Sequence, residues 1–278
     1  MPRERISHKT NAEIMLMREA GLITAAALRA VKNAIKPGVS TLELDKLAEE
    51  TIVAMGAESN FKLVPGYFHT ICASINGEVV HGIPKADKII QAGDIVSIDC
   101  GVQTKAGWNG DAAFSFVVPG GEDELTAKRQ ALSDACEASL WAGIAKLATA
   151  TRLNEIGRAV EASIRKSGRY GILQDYIGHG VGRSMHEDPA VFNYQTRDLG
   201  PRIETGLVIA IEPMITAGSQ TVQIMADDWT VATKDGSDAA HWEHTVARHK
   251  DGIWVLTAED GGLEGLKPHG VTPVEPQF

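Results

Sequence analysis

The sequence predicts a mixed α/β fold built from two similar halves. Three observations lead there. Each half reads as a helix, a turn, a second helix closed by glycine, and then a run of strands. Laid on one another, the halves place Leu44, Glu49, Ile52 and Gly56 on Ile156, Glu161, Ile164 and Gly168. One residue further along, Ile98-Asp99 falls on Ile211-Glu212, acid on acid within strand-like runs. Internal similarity of this kind marks a repeated architecture. It predicts a pseudo-two-fold fold with a carboxylate from each half in the middle.

Thr10 and Glu13 have the spacing of a capping box, in which hydroxyl and carboxylate satisfy orphan backbone N–H groups. Ile14, Met17, Gly21, Leu22, Ala25 and Leu28 follow at helical spacing until Pro37-Gly38. Ser40 and Glu43 form a second box, opening a helix through Leu44, Leu47 and Ile52 to Gly56. Strand-like runs at 70–75 and 78–80 flank Asn76-Gly77, a pair that favours hairpin turns. After Pro119-Gly120-Gly121, helices fit residues 122–148 and 154–167. Further strands fit 206–211, 220–225, 230–233, 242–248 and 253–257. The chain reads as one domain spanning 1–278, with a polar lead at 1–9 and a Gly/Pro-rich peripheral tail at 261–278.

Composition bounds the function. Of 278 residues, 44% are hydrophobic and 23% charged, ordinary values for a soluble globular protein. A net charge of −9 without any basic run argues against DNA or other broad nucleic-acid binding. Cys72, Cys100 and Cys136 are an odd count with no CxxC pair, which points to a reducing compartment. No apolar signal segment or membrane-length run is present, so the expectation is a cytoplasmic chain off the membrane.

The stretch SIDCGVQTKAGWNGD, residues 97–111, organises the rest. Strand-like runs lie at 94–98 and 113–118, and Asp99 follows apolar residues where a carboxylate is costly to bury. A three-residue loop centred on Lys105, with Gly107 in the left-handed position, would set Asp99 directly opposite Asp111. Opposed like charges destabilise a strand pair unless a cation or a retained proton relieves them. On these residues alone, two surface acids flanking an exposed turn fit as well.

Other candidates are few. His179 stands between glycines in IGHGVGR, which fits an accessible loop histidine and lacks the GxGxxG spacing of a phosphate cradle. His186 follows too far along for a helical zinc pair. Glu212 ends the apolar run VIAIE, Glu243 alternates with apolar neighbours in HWEHTV, and His81 closes VVH before a turn. Several carboxylates with one imidazole suit hard or borderline divalent ions better than structural zinc. Four carboxylates carry about −4, which two divalent cations neutralise, an arrangement used to activate water for hydrolysis.

VVHGIP (79–84), SIDCG…WNGD (97–111), GHGVGRSMHEDP (178–189), IEPM (211–214), DDWTV (227–231) and WEHT (242–245) resemble, in order, type I methionine aminopeptidases. The resemblance spans about residues 10–258. It implies the pita-bread fold, a mixed or antiparallel sheet with two helix pairs on its outer face. It implies Asp99, Asp111, His179, Glu212 and Glu243 as ligands of two divalent ions (Co, Mn, Fe(II) or Zn), with Asp111 and Glu243 bridging. Glu212 would also handle the proton of the attacking water. His186 would contact the scissile carbonyl, and His81 would assist proton movement and orient the substrate. Tyr67, Cys72 and Trp229 fall at the methionine pocket, where a polarisable sulfur suits apolar and aromatic walls.

The implied reaction removes the initiator methionine of nascent proteins when the second residue is small. Contact with the ribosome fits such a role, though no basic patch argues for it, and a monomer is expected. The chain departs from the usual pattern at VPGYFHTICASIN before Cys72, at Met185, at Asn109, and in a turn between Asp99 and Asp111 that is one residue longer. The alternatives are an Xaa-Pro aminopeptidase or prolidase-like peptidase, and a catalytically silent pita-bread binding protein. The former usually carries an extra N-terminal domain, and the latter would be expected to lack a ligand.

Overall fold

Helix α1 (Asn11–Ala34) begins at Thr10, whose hydroxyl accepts from the Glu13 N–H while the Glu13 carboxylate accepts from the Thr10 N–H. Ser40 and Glu43 repeat the arrangement at the start of α2 (Thr41–Ala54). The second half supplies α3 (Asp123–Leu147) and α4 (Glu155–Ser167). The computed structural model describes residues 6–277, so Met1–Arg5 of the expected polar lead and Phe278 of the tail lie outside the described residues.

Eight strands build most of the main sheet: β1 (Ile71–Ile75), β2 (Ile95–Gln103), β3 (Asn109–Val117), β4 (Gly178–Gly180), β5 (Glu187–Val191), β6 (Leu207–Ile211), β7 (Glu243–His249) and β8 (Gly252–Val255). All its pairings are antiparallel, in the order β2-β3-β7-β6-β4-β5, with β1 also on β2 and β8 also on β7. Residues Glu58–Ser59 add a short outer strand beside β2. Side chains alternate between the faces of a strand. Val96, Ile98, Cys100, Val102, Ala112 and Phe114 pack beneath Ile23, Ala27, Leu44 and Ile52 of α1 and α2. Leu207, Ile209, Ile211 and Val246 pack beneath Leu140, Ile144, Ile156 and Val160 of α3 and α4. Each half therefore covers its own part of the outer face with a helix pair, as the internal similarity predicts. Ile98 and Ile211 enter the two cores, which turns Asp99 to the opposite face of its strand.

Several expectations need correcting. The β2–β3 turn is centred on Ala106, because Gly107 N–H bonds Thr104 O and Thr104 N–H bonds Trp108 O. Gly107 does take a positive φ of 75°. Asp99 thus faces Ala113, and Asp111 faces Gly101. The two acids are diagonal neighbours on one face, not a directly opposed pair. Asn76 turns the chain with φ 56°, but the flanking runs do not form a hairpin ladder. One pairs with β2 and the other, Glu78–Val80, pairs with Val231–Thr233, because both have better partners than each other. His179 sits in a strand, not an open loop. At the chain ends, Lys9 is buried and donates to Gly206 O at 2.7 Å, Leu266 is fully buried, and His249 Nε2 donates to Val274 O at 2.7 Å.

Helix α1 approaches the sheet at backbone distance beside Asp111. A Cβ on Gly110 would lie 2.7 Å from the Gly21 nitrogen, and one on Gly21 would lie 2.1 Å from Leu256 O. Backbone cannot rotate away as a side chain can, so Gly21→Ala is an overpacking change at its severe end. We expect it to cost at least about 2 kcal/mol, seen as a lower urea midpoint. An unchanged midpoint would contradict this contact.

Candidate metal centre and its pocket

One cross-strand row carries the chemistry. Cys72 of β1 faces Asp99 of β2, Asp99 faces Ala113 of β3, and Ala113 faces Glu243 of β7. Asp111, two residues before Ala113, shares that face. Ile211 pairs with His244, so Glu212, the next residue, continues the register beside Glu243. Ala113 keeps the centre of the row short, with acids on either side. Thr245 ties the halves together here. Its hydroxyl accepts from Asp111 N–H at 3.0 Å and donates to Asp111 O at 2.8 Å.

His179 reaches the row from β4. Cβ atoms on its flanking glycines would lie 2.3 Å from Ala210 O (Gly178) and 2.2 Å from Asp188 O (Gly180). The glycines are there for close strand approach, not for bending. His179 Nδ1 bonds Gly180 O at 2.9 Å, which leaves Nε2 aimed at Glu212 Oε1, 3.4 Å away. The His186 ring lies edge-on to it, with centroids 4.3 Å apart. His81 holds a left-handed φ of 58°, a strained backbone for a side-chain-bearing residue.

The ten residues singled out from the sequence line one cavity: Tyr67, Cys72, His81, Asp99, Asp111, His179, His186, Glu212, Trp229 and Glu243. Phe61, Val64 and Met185, from stretches where the sequence departs from the usual pattern, complete its apolar end. Tyr67 donates to Ile71 O at 2.7 Å, and its ring meets Trp229 edge-on at 5.0 Å. The β2–β3 turn, expected to be one residue longer than usual, also has contacts of its own. Its Trp108 lies under the Arg183 guanidinium at 3.8 Å, and Asn109 Nδ2 donates to Gly182 O at 3.0 Å and Arg183 O at 3.1 Å. The turn therefore anchors the segment between His179 and His186.

The donor set fits divalent cations. Asp99 Oδ1, Asp111 Oδ1, Glu243 Oε1 and His241 Nε2 are buried without hydrogen-bond partners among the described residues, which is costly unless something else satisfies them. Donor atoms of Asp111, His179 and Glu243 lie within 4.8 Å of one another, as do those of Glu212, His241 and Glu243. Asp99 stands outside both tight groups. His241 is the residue sequence reasoning passed over, although His241, Glu243 and Thr245 share the period-two alternation of a strand face.

In the metal-free protein, burial and then the neighbouring acids hold Asp99, Glu212 and Glu243 well above the carboxylate range. Burial pushes Asp111 up to about 7. Burial, with His186 nearby, lowers His179 to about 4, so its imidazole is neutral and available as a ligand near pH 7.

The model of metallopeptidase family M24 matches residues 15–249. The chain belongs to that family. It is 45% identical over 260 residues to methionine aminopeptidase 1 of Mycobacterium tuberculosis, covering 92% of this chain and 96% of that one. A crystal structure of methionine aminopeptidase from Thermotoga maritima superposes with a TM-score of 0.86 at 36% identity, covering 92% of this chain and all of that one. Prolidase from Pyrococcus furiosus shares the fold at a TM-score of 0.65 and 23% identity, over 90% of this chain and 65% of that one. The chain thus groups with the methionine aminopeptidases of the family.

The raised acids carry a sign. A group whose folded pKa is raised stabilises below its unfolded pKa, near 4 for a carboxylate, and that stability is lost as pH rises through the folded value. His81, His179, His241 and His244, whose values burial lowers, act with the opposite sign below about 6.5 and offset this at lower pH. Held in chelator, the protein should therefore lose thermal stability as pH rises from about 6.5 through about 7. Saturating divalent cation should remove most of the slope, because it binds the ionised form. Melting temperatures against pH, with chelator and with Mn(II), test this. A metal-free protein that gained stability over that interval would contradict it.

Proposed function

We propose that this chain is a methionyl aminopeptidase that releases the first methionine from peptides whose second residue is small, using two divalent ions. What supports this most is the placement of an apolar sulfur-compatible chamber directly against the acid row. Phe61, Tyr67 and Trp229 wall the chamber, and Cys72 at its base is the cross-strand neighbour of Asp99. A methionine side chain seated there would bring its own carbonyl over the carboxylates. The relatives named methionine aminopeptidase agree with this direction.

In this proposal Asp99, Asp111, His179, Glu212 and Glu243 would hold the ions, Asp111 and Glu243 being the carboxylates placed to serve both. Bound divalent ions supply Lewis acidity, lowering the pKa of water and polarising a carbonyl. Glu212 takes the proton as the water oxygen adds to the scissile carbonyl carbon, and it returns that proton to the departing amide nitrogen as the C–N bond breaks. His186, kept neutral by burial, donates to the carbonyl oxygen as negative charge develops on it. His81, also neutral, with its pKa lowered to about 4, orients the substrate backbone and assists proton movement.

Purified protein given Mn(II), Fe(II) or Co(II) should release methionine from peptides beginning Met-Ala or Met-Gly and leave Xaa-Pro peptides intact. Cleavage confined to Xaa-Pro peptides would replace this proposal with a prolidase-like one. Inactivity towards both, with no metal retained, would leave a binding protein. Asp111→Asn removes an anionic oxygen from the shared position. It should lower kcat more than about a hundredfold, beyond the cost of an outer-shell change, and weaken metal retention in dialysis. Near wild-type turnover and retention would overturn Asp111 as a bridge.

A further inference from the structure

The five proposed ligands leave one buried imidazole at this centre without a task. His241 is 1% exposed, and its Nε2 has no hydrogen-bond partner among the described residues. It lies 3.9 Å from Glu212 Oε2 and 3.9 Å from Glu243 Oε2. That separation is too long for a hydrogen bond, which needs about 3.2 Å or less. It is the separation of donors sharing one ion. With bonds of about 2.0–2.2 Å, two ligand atoms of the same ion sit roughly 3–4.4 Å apart. His179 Nε2 stands 3.4 Å from the other oxygen of Glu212, in the same range.

The backbone that carries the ring is fixed on both sides. His241 lies opposite Met214 in a short ladder, its N–H donates to Ser115 Oγ at 2.9 Å, and its carbonyl accepts from Ser115 Oγ at 3.0 Å. Glu212 thus presents one oxygen to each imidazole, and Glu243 belongs to both groups of converging donors. We propose that His241 Nε2 is a sixth metal donor, so that the centre holds two imidazoles, with Glu243 shared between them. This rests on the metal-centre reading of the same acids. A second nitrogen donor moves preference from hard Mn(II) towards borderline ions such as Co(II), Ni(II) and Zn(II).

X-ray absorption at the cobalt edge counts coordinated imidazoles from their outer-shell scattering, and it can be applied to the intact Co(II)-loaded chain alongside metal content. Wild type should show two imidazoles per protein. His241→Phe should show one, with Co(II) affinity lower by on the order of tenfold or more, and His179→Asn should also show one. Circular dichroism of the metal-free variants checks that they fold, and the wild-type count stands without them. A single imidazole in wild type, or the same count in His241→Phe, would overturn the proposal while leaving the five-ligand centre intact. A chain that retains no cobalt would overturn both.

Discussion

The constraint on which this structure turns is the burial of four carboxylates on one face of a sheet. Asp99, Asp111, Glu212 and Glu243 are each at most 9% exposed. Donor oxygens of Asp111 and Glu243, and of Glu212 and Glu243, lie within 4.8 Å. At an effective dielectric of 20, each ionised pair at such range repels by roughly 3–4 kcal/mol. Folding alone can accommodate this only by protonating them, which is why their pKa values rise. Cations reverse the sign of the problem and turn a destabilising cluster into a binding site.

The rest of the fold can be understood as holding that cluster rigid. Both helix pairs press on the outer face, while on the acids' side of β6 and β7 Val208, Ala210 and Ala247 pack with Ile14 and Met17 of α1. Gly21 and Gly110 let α1 sit at backbone distance from β3 beside Asp111. Thr245 links β3 to β7 through its hydroxyl where the two halves meet. The Trp108–Arg183 stack and Asn109 fasten the β2–β3 turn to the segment carrying His186. These contacts come from both halves, which places the site at the seam of the internal repeat.

Much of this was legible in the sequence, for identifiable reasons. Capping boxes at Thr10 and Ser40 are local, so the helices they start could be read directly. The match of Ile98-Asp99 to Ile211-Glu212 encoded both core-facing isoleucines and site-facing acids in adjacent letters. What stayed hidden depended on distant partners. The register of β2 on β3 hinged on which residue centres the turn, and Ala106 differs from Lys105 by one position that shifts the facing of Asp111 by two. The partners of Asn76-Gly77 lie in other strands. The glycines around His179 are explained by Ala210 and Asp188, and His241 acquires meaning only when Glu212 is brought beside it.

The central claim is that these acids exist to hold two ions. Anomalous diffraction from crystals soaked in Mn(II) or Co(II) tests it most directly. The account predicts two anomalous peaks about 3.5–4 Å apart, with Asp111 and Glu243 contacting both. A single peak, or none between these carboxylates, would contradict it.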